Sequence, residues 1–336
     1  MDFVRSRFNA KVTWPCDRSH RYEQLANCAG ALRQLGGSAF YFMRDHACLS
    51  GYYDRVEKHE IQDKAVYVFE AHNVAFAAWA EVKAADEDDL ILITLDHHTD
   101  TKLAFLTSDF VHDYAQGNLP RTLERIDERV AQIDRTNSEH IEQAVADLRN
   151  DEQIDAAVRV GLFEYAFCFN NQGKNTPSVE EEAYLADEFY FLSEAPKPPF
   201  TYRVPDRKIY EIGKRCAVGC EERVHGDECY RKHADQVIES VMLNQLITTS
   251  NTIAQPAGIK SILELPYVLD IDLDYFTSTK GLAPEDPQLF YEMIRGAVAI
   301  TVATEPNYVK RERIDEELTS EYALERIMNH FEKALF

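Results

Sequence analysis

The amino-acid sequence predicts an α/β fold with a mostly parallel central sheet. Short apolar runs alternate with longer segments of helical character along the chain, and this alternation is typical of parallel sheets covered by helices. The apolar runs are continuous, as in Leu90–Leu95, which indicates strands that are buried on both faces. Polar residues follow directly after several runs, where sheets of this class bind their ligands.

Five segments are predicted to be strands because they are short, apolar and rich in β-branched or aromatic residues. A strand of this kind is buried, so the polar residues that follow it mark its end. In chain order the predicted strands are Ala65–Glu70, Leu90–Leu95, Phe163–Phe169, Tyr267–Leu273 and Ala299–Ala303.

Helices are predicted between and around these strands. The first ends near a glycine pair, and Pro287 is a favourable first-turn residue for a later one. The last helix places Leu324, Ile327 and Phe331 on one face, which indicates an amphipathic helix packed on the core. The predicted helices cover residues 22–34, 75–83, 123–135, 138–160, 234–247, 287–297 and 314–335.

The chain is predicted to form a single domain over residues 1–336. Its 336 residues are 45% hydrophobic, enough for one large core, and the sequence has neither internal repeats nor a low-complexity linker. Residues 170–235 contain several turn signals and no strong periodicity. We interpret this segment as an insertion or a substrate-binding lid.

The formal net charge is −22, from 58 acidic and 36 basic residues. This balance excludes nucleic acid as a partner, since phosphate would be repelled, and favours a cationic substrate. The alternative is that the charge only keeps the protein soluble. No apolar stretch is long enough to span a membrane, and no secretory signal is evident. We therefore expect no membrane partner and a cytoplasmic location; the oligomeric state stays open.

Seven cysteines are present, and Cys216, Cys220 and Cys229 lie close together with His225 among them. Such residues can bind structural zinc. However, the spacing lacks paired Cys-x-x-Cys knuckles, so reduced thiols are the default prediction.

Two motifs with alternating polar residues indicate a metal centre. Asp96, His98 and Asp100 alternate after one predicted strand, and Asp-Ile-Asp-Leu-Asp at 270–274 alternates at the end of another. In extended chain, alternate side chains point the same way, so each motif can present its groups to one point. A ligand set dominated by oxygen favours manganese over zinc or copper.

Charge balance favours two ions at this centre. Asp96, Asp100, Asp272 and Asp274 bring four negative charges, which two divalent ions neutralise, whereas a single ion leaves crowded buried carboxylates. Two ions can also activate a bridging water as a hydroxide nucleophile. For each motif the alternative is a helix cap or a solvated loop.

The motifs resemble those of the arginase, or ureohydrolase, superfamily. Asp96-His-His-Thr-Asp100 is similar to its Asp-x-His-x-Asp motif, and Asp270-Ile-Asp-Leu-Asp274 is similar to Ser-x-Asp-x-Asp with Asp in place of Ser. Glu70-Ala-His72-Asn stands where the superfamily has Gly-Gly-Asp-His-Ser. Together these strings most resemble the divergent peptide arginases, which convert arginine residues of ribosomally synthesised peptides to ornithine and release urea.

The resemblance implies a three-layer αβα fold of the arginase/deacetylase type and two Mn²⁺ ions. An arginine-containing precursor peptide is the implied substrate and partner. The implied metal ligands are His72, Asp96, His98, Asp100, Asp272 and Asp274.

The resemblance also suggests two catalytic residues. Glu305 follows a predicted strand, resembles the substrate-binding region of arginases and can hold a guanidinium. His112 has the spacing of the arginase proton-shuttle histidine; the alternative is an exposed helix position. Asp270 either orients a ligand or itself binds metal.

Three alternatives remain at this point. The protein could hydrolyse free arginine or agmatine, or it could be a deacetylase-like amidohydrolase with one zinc ion. It could also be a non-catalytic peptide-binding protein that keeps the fold.

Overall fold

The computed structural model describes residues 56–85, 89–108, 122–177, 207–222 and 225–336. These residues belong to one compact unit that spans residues 55–336. The predicted helix over residues 22–34 and the predicted catalytic residue His112 lie outside the described residues.

Within the described residues, seven strands form one sheet in the order β1-β2-β7-β6-β3-β4-β5. β1 pairs with β2 in antiparallel orientation, and every other pair of neighbours is parallel. The sheet is therefore mostly parallel, as the continuous apolar runs predict. The strands are β1 (Glu57–Ile61), β2 (Lys64–Phe69), β3 (Ile91–Asp96), β4 (Tyr165–Asn170), β5 (Ile209–Gly213), β6 (Tyr267–Asp272) and β7 (Ala299–Ala303).

Besides short 3₁₀ turns and the helical residues 106–108, nine helices have both ends in the described part of the chain. They are α1 (Ala75–Ala85), α2 (Thr122–Ala131), α3 (Ser138–Asp147), α4 (Gln153–Arg159), α5 (Asp227–Ala234), α6 (Ser240–Ala254), α7 (Gln288–Gly296), α8 (Pro306–Glu312) and α9 (Ser320–Leu335).

Helices flank the sheet because both faces of its inner strands are apolar. Val66 and Val68 of β2 join the core formed with α6, α7 and α9. Tyr67, which lies between them and so points to the opposite face, contacts Glu81 of α1 through its hydroxyl. α1 also packs against α3 and α4. This arrangement of a sheet between two helical layers is consistent with a three-layer αβα fold.

All five predicted strands are confirmed within one or two residues at their ends, and the predicted helix over residues 287–297 is confirmed as α7. Other boundaries were wrong. The predicted helix over residues 138–160 is two helices, α3 and α4, separated by residues 148–152. The C-terminal helix begins at Ser320 rather than near residue 314, because Thr319 caps it by accepting a hydrogen bond from the Tyr322 amide at 3.2 Å.

The segment 170–235 supplies part of the central sheet. It contains the edge strand β5, which pairs with β4, and the helix α5. Residues 178–206 of the same segment lie outside the described residues, so its role as a lid stays a prediction.

None of the helices in the described part of the chain has both the length and the apolar character that a membrane-spanning helix requires.

Candidate metal centre

The predicted ligands lie at one edge of the sheet. β2, β7, β6 and β3 are neighbours and run parallel, so their carboxyl ends reach the same edge. His72 follows β2, Glu305 follows β7, Asp272 ends β6 and Asp96 ends β3. The topology thus brings together residues that are far apart in the sequence.

His72 lies at the centre of this cluster and is completely buried. It occupies a short 3₁₀ turn directly after β2. Its Nδ1 atom lies 3.0 Å from Asp100 Oδ2, 3.3 Å from Asp272 Oδ2 and 3.6 Å from Asp96 Oδ2. One nitrogen of the ring therefore faces three carboxylates from two different strand ends.

Asp270 fixes the other side of the His72 ring. Its Oδ2 atom lies 2.8 Å from His72 Nε2 and accepts a hydrogen bond from Thr94 Oγ1 at 2.9 Å. Its Oδ1 atom accepts a hydrogen bond from Thr301 Oγ1 at 2.5 Å. With both oxygens engaged, Asp270 orients the histidine as an outer partner does in metal sites. Of the two roles open at the sequence level, the geometry favours orientation.

Asp96 lies between His72 and His98. Its Oδ2 atom faces His72 Nδ1, whereas its Oδ1 atom lies 3.7 Å from His98 Nδ1 and accepts a hydrogen bond from the His98 amide at 2.6 Å. His98 Nδ1 also lies 3.0 Å from Asp274 Oδ2. Two groups that could hold a metal ion, His72/Asp96/Asp272 and Asp96/His98/Asp274, therefore share Asp96.

Asp100 is held from a helix that the sequence motifs did not indicate. Gln153, at the start of α4, donates a hydrogen bond from Nε2 to Asp100 Oδ2 at 3.0 Å. The Asp100 backbone is in the left-handed region with φ of 49°, which is uncommon for a residue other than glycine. This backbone turn and the Gln153 contact direct the Asp100 carboxylate toward His72.

Asp272 and Asp274 are positioned by their own local turn. The Asp272 carboxylate accepts a hydrogen bond from the Asp274 amide at 3.0 Å through Oδ1, which caps the 3₁₀ turn Leu273–Tyr275. Asp274 Oδ1 accepts a hydrogen bond from the His97 amide at 3.1 Å. In each carboxylate the Oδ2 atom is the one that faces a histidine.

Glu305 lies beside Asp272 and Asp274, and one carboxylate oxygen of each lies within 4.8 Å of the others. Its Oε1 atom accepts hydrogen bonds from the His72 amide at 3.0 Å and from Asn150 Nδ2. The Glu305 backbone has φ of 27° directly before Pro306, a conformation disfavoured there. Strained backbone at a buried acid is a feature of functional sites.

Burial and mutual repulsion raise the pKa of most of these acids. Burial raises the pKa of Asp100 to about 7, with the Asp96 charge adding to it. Burial also raises the pKa of Asp272 and Glu305 well above their usual range, and the nearest carboxylates add to both. Burial lowers the pKa of His98, but its contacts with Asp274 and Asp96 outweigh burial and raise it to about 11.

The donor set fits divalent metal ions. Asp96 Oδ2 and Asp274 Oδ2 are buried and have no hydrogen-bond partner among the described residues, although Asp274 Oδ2 is close to His98. Buried carboxylate oxygens need such a partner or a cation. Both atoms point toward a histidine nitrogen, and carboxylates with imidazole suit a hard or borderline divalent ion. The residues present therefore match the chemistry of a metal centre.

His97 lies beside the centre without facing it. Its ring is buried, and Nε2 is 3.5 Å from Glu312 Oε2 of α8. Burial lowers the pKa of His97, so its ring is neutral near neutral pH. Its amide contacts Asp274, which agrees with the alternation that directs Asp96 and His98 to one side.

The structure brings the six predicted ligands and Glu305 together, and His112 lies outside the described residues. Sequence reasoning missed the polar residues that support them: Thr94, Asn150, Gln153 and Thr301. Thr94 and Thr301 occupy buried strand positions directly opposite Asp270. In the sequence, Thr94 and Thr301 are polar residues inside apolar runs, and this feature could have identified both.

Comparisons with models of known protein families, with curated proteins and with solved structures found no match to this chain.

Proposed function

We propose that this protein is a metal-dependent hydrolase of the arginase type. Its reaction converts arginine residues of a ribosomally made precursor peptide to ornithine and releases urea. The observation that supports this proposal best is the position of Asp96 between His72 and His98, with Glu305 beside Asp272 and Asp274.

Two Mn²⁺ ions fit the proposed centre. His72, Asp100 and Asp272 surround one position, His98 and Asp274 flank a second, and Asp96 offers one oxygen to each. Four aspartates neutralise two divalent ions, which removes the repulsion that raises the pKa of the acids. When bound, such a pair supplies the Lewis acidity that makes water nucleophilic near neutral pH.

Glu305 is the proposed guanidinium-binding residue. Its Oε1 atom is held by the His72 amide and Asn150, so the carboxylate is fixed in place. A guanidinium is always charged and pairs well with a carboxylate. The two contacts that hold Glu305 restrict its rotation, so a bound guanidinium is oriented toward the aspartate ligands.

The reaction requires one addition, one bond cleavage and the transfer of two protons from water to the leaving nitrogen. The oxygen of water adds to the guanidinium carbon, and the bond from that carbon to the arginine side-chain Nε then breaks, so that the oxygen leaves in urea. Nε takes up both protons that water loses and becomes the δ-ammonium group of ornithine. His112 is the proposed carrier of one of these protons to Nε, since imidazole titrates near neutral pH.

The choice of a peptide over free arginine rests on the motif resemblance and on two properties of the chain. The net charge of −22 favours cationic substrates. The segment between β4 and β5 is 38 residues long, from 171 to 208, which is longer than most connections in α/β proteins. Long connecting segments commonly carry binding functions.

The test is co-expression with an arginine-containing precursor peptide, followed by mass spectrometry of the peptide. Each converted arginine lowers the mass by about 42 Da, the CN₂H₂ unit that leaves in urea, as expected for hydrolysis by metal-activated water. The matched control is Asp272→Asn, which removes a ligand and must abolish the mass change. An unmodified peptide in manganese-supplemented cells that contain folded wild-type protein would refute the proposal.

The same preparation separates the alternatives. Urea from free arginine, without any change in the peptide, would identify a simple ureohydrolase. A zinc-dependent amidohydrolase would contain a single zinc ion that Asp272→Asn removes and would show no stimulation by manganese. A non-catalytic protein would bind the peptide equally well with and without this substitution and would release no urea.

A further inference from the structure

A second cluster of metal-binding side chains lies away from the centre described above. Cys216 and Cys220 follow the edge strand β5, and Cys229 lies in the first turn of α5 with His225 just before it. The ligand atoms of Cys216, Cys220 and His225 all lie within 4.8 Å of one another. Cys229 is buried and joins them through Cys220.

The distances from Cys220 agree with a tetrahedral site. In a zinc tetrahedron, bond lengths of about 2.3 Å to sulfur and 2.0 Å to nitrogen give edges of roughly 3.8 Å between sulfurs and 3.5 Å between sulfur and nitrogen. Cys220 Sγ lies 3.7 Å from Cys229 Sγ and 3.8 Å from His225 Nδ1. Cys216 Sγ lies closer to His225 Nδ1, at 2.9 Å, and Cys229 stands outside the group of three whose ligand atoms are mutually within 4.8 Å. Binding of one ion by all four residues therefore requires Cys216 and His225 to move apart and Cys229 to move toward both.

The local backbone brings these residues together. The Cys220 amide donates a hydrogen bond to the Ala217 carbonyl at 3.2 Å, and Gly219 adopts φ of 77° in the same turn. This tight turn places Cys216 beside Cys220. On the other side, Cys229 lies in the first turn of α5. Two separate local structures therefore meet at one point.

We propose that Cys216, Cys220, His225 and Cys229 bind one structural zinc ion. The order Cys-x₃-Cys-x₄-His-x₃-Cys departs from paired Cys-x-x-Cys knuckles, so the spacing alone did not predict the site. Three sulfurs and one nitrogen prefer zinc to manganese, and four protein ligands close the coordination shell. The site thus differs from the oxygen-rich centre in both metal and purpose.

The zinc ion would fix the start of α5, and α5 in turn supports the catalytic centre. The carbonyl of Ala234 at its C-terminal end accepts a hydrogen bond from Ser278 Oγ at 3.2 Å, and Asp235 Oδ1 accepts one from the same hydroxyl at 2.8 Å. Ser278 lies four residues after the proposed ligand Asp274. The cluster therefore ties an edge of the sheet to the segment that follows a ligand strand.

The test measures metal in the full-length protein after dialysis against a mild chelator. Wild type is expected to retain about one zinc ion per chain, as is Asp272→Asn, because a closed thiolate site holds zinc tightly. Cys220→Ser and Cys229→Ser are expected to lose it, whereas the matched control His225→Cys keeps it with four sulfurs. Zinc that persists in both serine variants would overturn the proposal.

A second measurement uses the wild-type protein, so it does not depend on variants that fold. Thiol alkylation is followed by peptide mass spectrometry with zinc present and after its removal by a strong chelator. Zinc is expected to protect Cys216, Cys220 and Cys229 by at least tenfold in alkylation rate, since a bound thiolate is a poorer nucleophile. Equal rates in the two conditions, or a disulfide between any two of the three, would contradict the site.

Discussion

The ligands of the candidate centre differ in how their own contacts fix them. His72 is held on one ring nitrogen by Asp270, which leaves the other nitrogen toward the aspartates. Asp270 is itself held by hydroxyls from β3 and β7, at positions directly opposite it on the neighbouring strands. A buried row of three polar residues across the sheet therefore determines the orientation of one ligand.

Replacing Asp270 with Asn is expected to weaken metal binding without removing a ligand. Outer partners of metal-bound histidines contribute about 10–100-fold in affinity. Asp270→Asn should therefore need about 10–100-fold more Mn²⁺ for half-maximal activity, with most activity restored at saturating metal. Titration of urea release with Mn²⁺ measures this, and activity that stays low at every metal concentration would indicate that Asp270 binds metal directly.

Glu305→Gln separates substrate binding from metal binding. The amide keeps the shape of the side chain but loses the charge that pairs with a guanidinium, a loss on the order of 2–4 kcal/mol for a buried charge-assisted contact, or about 30–1000-fold in kcat/KM. Because the six ligands are untouched, manganese content should equal that of wild type. A loss of manganese instead would assign Glu305 to the metal shell.

The clustering of Asp96, His98, Asp100, Asp272 and Asp274 could be predicted because their motifs stand at the ends of apolar strands, whereas His72 was indicated as a ligand only by the motif resemblance. The predicted alternation in extended chain is not what directs Asp100 and Asp274, which lie in a left-handed turn and a 3₁₀ turn. The residues that hold the ligands could not be predicted in this way. Thr94 and Thr301 reach Asp270 through the register of three strands, and Gln153 reaches Asp100 from a helix 53 residues away in the chain. Contacts of this kind exist only once the sheet and its covering helices are assembled.

At the level of whole elements, burial explains which predictions succeeded. β3 and β6 lie inside the sheet and are buried throughout, so their apolar composition identified them. β1 and β5 lie at the edges. β1 is mostly exposed and charged, whereas β5 is largely buried but only five residues long, and turn signals precede it in the sequence. The pattern of apolar residues is weak in such strands, and both were missed.

The hydrogen bonds between Asn73 and the end of α3 can be tested by mutation. Asn73 Nδ2 donates hydrogen bonds to the carbonyls of Val145 and Leu148, at 2.9 and 3.1 Å, at the end of α3. Removing both contacts in Asn73→Ala is expected to lower the free energy of unfolding by about 1–3 kcal/mol. Since Asn73 adjoins His72, the affinity for manganese should also fall, as measured by calorimetry.

The matched control for this variant lies at the other end of the same helix. Asn137 caps α3 by accepting a hydrogen bond from the Glu139 amide at 3.0 Å. Asn137→Ala should lower the free energy of unfolding by about 1 kcal/mol while leaving metal affinity unchanged. If both variants weaken manganese binding equally, the effect comes from general loss of helix stability rather than from the His72 turn.

At the level of the whole molecule, the fold concentrates negative charge where its strands end. Asp96, Asp100, Asp272, Asp274 and Glu305 are all buried at one edge of the sheet, in a chain that is already strongly acidic. Without cations, burial and repulsion favour the protonated acids, as the raised pKa of Asp100 and Asp272 indicates. The stability of the metal-free protein should therefore depend on pH through this centre.

The contribution of Asp100 to the free energy of unfolding decreases as pH rises. Its pKa is about 7 in the folded protein and about 3.9 in an unfolded chain, so the folded state binds the proton more tightly. The stability gained in this way is fully present below about pH 4 and is lost as pH rises through about 7, by up to about 1.4 kcal/mol per pH unit. In the proposed metal-bound form this trend would be reversed, because metal takes the place of the protons and binding strengthens as the acids ionise.

Denaturant unfolding of the metal-free protein between pH 4 and pH 8 (roughly the interval between the two pKa values) tests this, with Asp100→Asn as the reference. The amide cannot titrate, so the free energy of unfolding of wild type should fall relative to the variant as pH rises. Identical treatment with chelator removes metal from both proteins, so any contribution of the cysteine cluster cancels in the difference. Parallel pH profiles for the two metal-free proteins would show that Asp100 is ionised throughout, and that the fold accommodates its charge without a cation.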